Sequence, residues 1–417
     1  MKKSFLSFLT FTRTQTIKDT LVVTFGNGLS TAFSVLSIFL IARILGPANF
    51  GLYVTTWAIV VILIDSIDLA INSGIVRFAS QSTADKDSLI KYGFFLKLFL
   101  GLIVTAVFGL LSQPLAAWLY PSLKTPLLLS SLFILITFLF RFPRSILQSE
   151  KKFFKDTLID VTISFIRLLS VLAFYFFFKL TILSSLAAYL LAAVIGLILG
   201  IRFISWDFLK AKVTPEVRRT FFHFQKWLTF GFIIAAVHGR IDSAILLKLA
   251  GPENTGIYQA AYRFFAPVLQ LAAALSLVFA PRFASFSDYS QTKTYLHKAG
   301  KLTLGLAGLV LLLIPLAPAL IKLIFGSQYL AAILPTRILT LGFAFFIAGS
   351  PYVAHLIYAV NKTKTFFIIN IAQLVSIMAL DLILIPVAGA VGAALAVSLT
   401  LITVNSLLAY LALSHKS

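Results

Sequence analysis

The sequence predicts an all-α integral membrane protein of about 12 transmembrane helices, arranged as two parallel-repeat six-helix lobes around a central cavity. Three observations predict it. Of 417 residues, 59% are hydrophobic and 12% charged, with a mean hydropathy of +0.99, whereas about a quarter of the residues of a soluble domain are charged. Apolar stretches of the roughly 20 residues that cross a bilayer recur from near residue 20 to near residue 413. An eight-residue corner, GPANFGLY at 46–53, returns as GPENTGIY at 251–258.

Backbone polar groups in hydrocarbon must be satisfied within the spanning element, which leaves helices or closed barrels. The run Ile59–Ile64 shows no alternation, so the spans are helices. In order they fall at 20–45, 52–77, 92–112, 127–149, 155–178, 182–204, 227–249, 255–282, 300–324, 331–360, 364–385 and 390–413. Ahead of them, MKKSFLSFLTFTRTQTIK has a basic start without a long apolar run or a small-residue cleavage site. It is expected to stay attached as an interfacial segment, with Phe5, Leu6, Phe8 and Leu9 in lipid. The polar segment 205–226 reads as a cytoplasmic linker between an N-terminal lobe, 1–204, and a C-terminal lobe, 227–417.

A net charge of +21 would suggest nucleic acid for a soluble chain; here its distribution excludes that partner. Of 35 Lys and Arg, only Arg43, Lys124, Lys179, Lys248 and Lys322 fall in loops on one side. Five, Lys97, Arg167, Arg240, Arg263 and Arg337, are assigned to the spans proper, and the rest gather at the termini and in or beside the loops after even-numbered spans. By the positive-inside rule both termini are cytoplasmic and the basic loops 141–155 and 205–226 face anionic lipid headgroups. The chain is expected to be a multi-pass protein of the cell (inner or plasma) membrane. There is no cysteine, hence no disulfide and no thiolate metal site.

The repeat has a constant register. RFAS at 77–80 returns at 282–285, Phe25-Gly26 at Phe230-Gly231, and Arg43 matches Lys248, each 205 residues on. Glycine supplies backbone angles closed to other residues and proline starts the next helix without needing a donor, so each corner is a chain reversal. An even number of spans per unit makes the repeats parallel, with a substrate path expected where they face each other.

Within the spans lie Asp65, Asp68, Asp160, Asp242 and Asp381 against Lys97, Arg167, Arg240, Arg263 and Arg337. Each costs about 2.5–3.5 kcal/mol at a helix centre on insertion scales, so such residues face a bundle interior or a watery cavity. Helical spacing puts Gln259, Arg263 and Gln270 on one stripe of the eighth span, and Asp65, Asp68 and Asn72 on one stripe of the second. Arg337 and His355 share a face of the tenth span, and Asn370 and Asp381 one of the eleventh. The second and eighth spans are repeat-equivalent, so their stripes are expected to oppose each other across the cavity. Lys97, five residues into its span, is expected to snorkel to the interface, and Arg43 and Lys248 to act as interfacial anchors. Asp65 and Asp68, like-charged and three apart, are candidates together with Asp242 for holding a coupling H⁺ or Na⁺; pairing with arginine is the competing reading. His238 and His355 belong to the one residue type that titrates near neutral pH.

The segment RIDSAILLKLAGPENTGIYQAAYRF at 240–264 resembles the seventh and eighth helices of the bacterial polysaccharide transporters. These are the oligosaccharide flippases of the multidrug/oligosaccharidyl-lipid/polysaccharide exporter superfamily. The LGPANFGLY corner, YAVNKTKTFF at 358–367 and the Gly/Ala-rich GAVGAALAVS at 389–398 extend the likeness over nearly the whole chain. The resemblance implies a flippase that moves an undecaprenyl-diphosphate-linked oligosaccharide to the outer leaflet for O-antigen, capsule or exopolysaccharide synthesis. Glycan polymerases and glycosyltransferases are its implied partners, beside membrane lipids. No enzyme activity or organic cofactor is implied.

A diphosphate suits guanidinium, which stays charged and grips two oxygens at once, so Arg167, Arg240, Arg263 and Arg337 are the candidates for it. Gln259, Gln270, Tyr262 and His355 are candidates for the sugars, and Tyr258, Tyr352, Tyr358 and Trp57 offer further aromatic faces. Cation-coupled drug exporters of the same superfamily often carry an acid in the first helix, whereas residues 21–42 have none. Lipid II flippases usually have fourteen spans. An embedded transferase would need catalytic acids in a sizeable outer loop, where only Glu253 is acidic.

Overall fold

The computed structural model describes residues 15–414 apart from 69, 81–85, 239, 287 and 361–362. The interfacial segment expected at the start, with Phe5, Leu6, Phe8 and Leu9, lies outside the described residues. Among those described the protein is helical, with no strand. In chain order the helices are α1 (Gln15–Ile67), α2 (Ile71–Ala79), α3 (Lys86–Leu119), α4 (Lys124–Ser149), α5 (Phe153–Phe177), α6 (Ile182–Phe203), α7 (Pro215–His238), α8 (Ile241–Tyr262), α9 (Ala266–Ser285), α10 (Tyr289–Leu311), α11 (Leu313–Ile324), α12 (Ile333–Ala354) and α13 (Thr363–Ser414).

The 53 residues of α1 would make a straight rod of about 80 Å, against a hydrocarbon core of about 30 Å. Gly46 breaks it, with φ 73° and ψ 169°, and Pro47 opens the second arm. The second corner repeats this in its backbone: Gly251 has φ 81° and ψ 176°, followed by Pro252. That α8 folds back there follows from its own bonds. The Tyr258 hydroxyl donates to Asp242 Oδ2 at 2.6 Å, whereas 16 residues of straight helix would hold them about 24 Å apart. Gly389 bends α13 in the same way, with φ 53°.

Twelve crossings follow. Both arms of α1, the second continued by α2, then α3, α4, α5 and α6 make six. The others are the two arms of the stretch Ile241–Ser285, broken at Gly251, the pair α10 and α11 bent by 45°, α12, and both arms of α13. The protein is therefore an all-helical, multi-pass membrane protein. Its exposed Leu and Phe side chains, such as Phe99, Leu110 and Phe177, are the surface such a protein presents to lipid. Within the polar segment 205–226, a short 3₁₀ turn at Asp207–Lys210 is followed from Pro215 onward by α7, so its second half is helix.

The chain divides into two compact units. Unit 1 comprises the chain up to Leu45 and Thr55–Ile241; unit 2 comprises Gly46–Val54 and Asp242–Ser417. Both copies of the Gly-Pro corner thus lie in unit 2, where they pack against each other. A Cβ on Gly51 would overlap the Pro252 carbonyl oxygen, and one on Gly256 would overlap that of Pro47. The contact is reciprocal, glycine of each copy on proline of the other, so two backbones touch where no side chain intervenes. Asn254 adds a third chain segment, accepting from the Ala390 N–H at 3.1 Å beside the Gly389 bend.

Candidate functional site

Asp65, Asp68, Asp156 and Asp160 of unit 1 lie in ion-paired clusters. The second crossing is interrupted between Ile67 and Ile71, where Ala70, fully buried, sits at φ 57° in the left-handed region that disfavours residues with a Cβ. Asp68 lies at this break. Lys97 Nζ donates to Asp68 Oδ1 at 2.9 Å and to Asn72 Oδ1 at 2.8 Å, and Asn72 Nδ2 donates to Asp68 Oδ1 at 2.9 Å. The Phe138 ring lies 4.4 Å from the ammonium. Lys97 is 0% exposed. The expected snorkelling is therefore wrong: a carboxylate, an amide and an aromatic face at its own depth hold the charge more closely than the interface would.

Asp65 is held by two arginines, Arg141 at 2.8 Å and Arg240 at 3.4 Å. Arg240 is thus committed to a carboxylate, and Nη1 also points to the Ala236 carbonyl. A third cluster joins Arg144 to Asp156 at 2.6 Å and to Asp160 at 2.8 Å, with Gln148 donating to the other Asp156 oxygen. Arg141 and Arg144 were not among the candidates. Their signal in the sequence, the two arginines of RFPRS at 141–145, is masked because both lie near the expected end of the fourth span, in the basic loop 141–155. Arg167 differs: it lies 4.2 Å over the Tyr189 ring, donates to Ser34 Oγ at 3.2 Å, and makes no ion pair with a described residue, while its Nε is buried without a partner. Trp57 packs on Phe133 and Tyr189.

In unit 2 the corner at Gly251 brings the start of α8 back on its own end. Asp242 accepts from the Tyr258 hydroxyl and from the Ser243 N–H at 2.7 Å, and Gln259 Nε2 donates to Ser243 Oγ at 2.7 Å. Asp381, on α13, is 0% exposed, and neither carboxylate oxygen has a hydrogen-bond partner among the described residues. The Asp242 charge acts on it. Asp381 stood among the intramembrane acids, but its isolation in the run IMALDLILIP did not mark it as a site residue.

The stripe expected on the eighth crossing is not kept. Gln259 is buried and bonded, whereas Gln270 is exposed. Between them Arg263–Phe265 form a 3₁₀ turn, whose three residues per turn instead of 3.6 shift the helix phase. Arg263 sits on that turn, half-buried, with Nε lacking a partner and no ion pair to a described residue. Tyr262 packs between Tyr258, tilted at 5.9 Å, and Phe343, edge-on at 5.7 Å.

Arg337 and His355 are likewise separated. Arg337 is exposed and its Nε donates to the Ile314 carbonyl at 3.1 Å. Pro318 leaves that carbonyl without its helical donor, so Arg337 caps a helix defect. His355 is buried beside Phe283 where α12 passes into a π turn. The His238 side chain lies outside the described residues.

Residues 40–334 match the profile of a family described as "Polysaccharide biosynthesis protein". A Shigella flexneri protein described as "Putative O-antigen transporter" is 25% identical over 412 residues, covering 95% of this chain and 97% of its own. The fold is similar to that of the lipid II flippase MurJ in an inward closed conformation, with a TM-score of 0.77, 18% identity and 94% and 87% of the two chains covered. It is also similar to a multidrug resistance MATE family transporter in its inward-facing conformation, with a TM-score of 0.72, 14% identity and 92% and 93% covered.

Proposed function

Since the chain belongs to the family of polysaccharide biosynthesis proteins, we propose that it is a flippase. Its substrate is a lipid-linked oligosaccharide on an undecaprenyl diphosphate carrier, carried from the cytoplasmic to the outer leaflet by alternating access for O-antigen, capsule or exopolysaccharide assembly. Both termini face the cytoplasm in this reading, and the repeat assigns 1–204 and 227–417 to two lobes joined by 205–226. The likeness to the Shigella O-antigen protein over almost all of both chains supports the substrate class.

The observation that carries the reading is the division of labour among the intramembrane charges. Asp65, Asp68, Asp156 and Asp160 each end on a base, so these acids of unit 1 hold the fold. Arg263 and Arg167 end on no carboxylate and keep buried guanidinium N–H groups unspent. A buried donor without a partner is costly, and a diphosphate oxygen is the acceptor that suits a guanidinium fork. Arg263 is assigned to the diphosphate. The coupling ion, a proton or Na⁺, is assigned to Asp381 with Asp242. A buried carboxylate with no donor and a second acid within electrostatic reach is relieved by a cation.

The test is Arg263→Lys in liposomes, scored as translocation of a lipid-linked oligosaccharide per folded molecule. A single ammonium cannot reproduce two parallel hydrogen bonds, so activity is expected to fall at least about tenfold, which corresponds to about 1.4 kcal/mol. Wild-type activity with Lys would remove Arg263 from the headgroup site.

A further inference from the structure

Unit 2 contains a cavity of about 200 Å³ between α9, α12 and the two arms of α13, lined among others by Ser276, Ser350, Asn370, Gln373, Asn405 and Phe346. It lies in the halves of these helices away from the Gly-Pro corners, and none of the residues above that were assigned to the diphosphate or the ion lines it.

Its chemistry is uniform. Among the described residues, the lining holds five hydroxyl or amide side chains and no Asp, Glu, Lys, Arg or His. Three of the polar groups already spend a donor on their own helices: Ser276 on Ala272, Ser350 on Ile347 and Asn405 on Leu401, at 2.8–2.9 Å. Their oxygens keep acceptor capacity. Gln373, half-buried, is bonded to no other described residue, so its amide offers both a donor and an acceptor. Phe346 and aliphatic side chains such as Leu408 complete the wall.

A phosphate would find no cation here and a metal ion or ammonium no carboxylate, and either charge would be expensive at this depth. A purely apolar ligand would leave the amides facing hydrocarbon. What fits is a neutral molecule rich in hydroxyls with one apolar face, the combination of a few placed polar groups and an aromatic wall that orients small ligands. The size sets a limit. Drug-sized pockets run from about 300 Å³ upward, and a water occupies about 30 Å³, so this cavity holds one ring and not a chain of them.

We infer that this cavity is a subsite for a single uncharged sugar ring, with Gln373 bonding ring hydroxyls and Phe346 facing the ring's C–H side. The inference rests on the flippase reading for the source of the ring, a sugar of the lipid-linked oligosaccharide, and it separates that sugar's recognition from the diphosphate at Arg263.

The test uses the purified full chain in detergent and saturation-transfer NMR with N-acetylglucosamine, glucose and glucose 1-phosphate as probes. The expected result is millimolar binding of a neutral sugar, weaker binding of the phosphate ester, and a loss of at least about fivefold in saturation transfer for Gln373→Leu and for Ser276→Leu, the latter at an exposed position that tolerates substitution. Arg263→Lys should bind the neutral sugar as wild type does. No transfer to a neutral sugar, transfer equal to wild type in both cavity variants, or preference for glucose 1-phosphate would each overturn the inference. Sugar binding intact in an Arg263 variant with unaltered translocation would remove the headgroup assignment and leave the subsite standing.

Discussion

Asp68 and Asp381 are both aspartates on membrane-spanning helices, and they are solved in opposite ways. Asp68 receives Lys97 and Asn72, and its neighbour Asp65 receives two arginines. Asp381 is buried more deeply than either and receives no bond from a described residue. The Asp68 pair needs no ligand to be tolerated, whereas Asp381 is tolerable only with a neutralising partner from outside the chain or a proton. Position within a span therefore does not separate paired from unpaired acids; the presence of a base at bonding distance does.

The comparison is broken most severely at Lys97. Removing one partner of an ion pair whose lysine is fully buried leaves the other charge unmatched, at a cost of up to about 3–5 kcal/mol. Lys97→Ala should strongly reduce folded protein and lower the midpoint of thermal unfolding in detergent. Lys97→Met combined with Asp68→Asn should recover much of that loss, because neither residue then carries a buried charge. A Lys97→Ala protein as stable as wild type would show that the pair does not hold unit 1 together.

The smallest effect belongs to the outermost cluster of unit 1. Glu150, just past α4, is bonded by Lys86 at 3.0 Å and Lys152 at 2.7 Å. Partial burial works to raise its carboxyl, but the bonds and charges of Lys152 and Lys86 prevail and hold it below its ordinary value of 4.5. A carboxylate depressed in the folded state contributes its stability above the unfolded value and loses it as the pH falls through the folded one. The stability difference between wild type and Glu150→Gln should be below about 1 kcal/mol near neutrality and shrink as the pH drops below about 4.5. A difference that grows on acidification would contradict the assignment.

Much of this was legible in the sequence, and its limits are physical. The corners were readable because Gly46-Pro47 and Gly251-Pro252 perform one backbone task that few residue pairs can perform, and the twelve crossings because hydrocarbon sets their length. The intramembrane charges were readable as a set, since their cost forces them inward. Their partners were not. Asp65 meets Arg141 from 76 residues away, and no periodicity within one helix reports a contact between helices. The stripe of Gln259, Arg263 and Gln270 failed because a 3₁₀ turn at 263–265 altered the phase that the spacing argument assumed to be constant. Arg337 was drawn to a carbonyl that Pro318 exposes, a defect visible only when the two helices are side by side.

The central claim, that the acids of unit 1 hold the fold while Asp381 answers to the ion, is tested most directly by one transport measurement. The protein is reconstituted in liposomes, an H⁺ or Na⁺ gradient is imposed, and translocation of a lipid-linked oligosaccharide is followed per folded molecule. Asp381→Asn should translocate at a rate that no longer responds to the gradient, while Asp65→Asn and Asp68→Asn, in whatever amount folds, should respond as wild type does. A gradient response that survives in Asp381→Asn and disappears in Asp65→Asn or Asp68→Asn would contradict it.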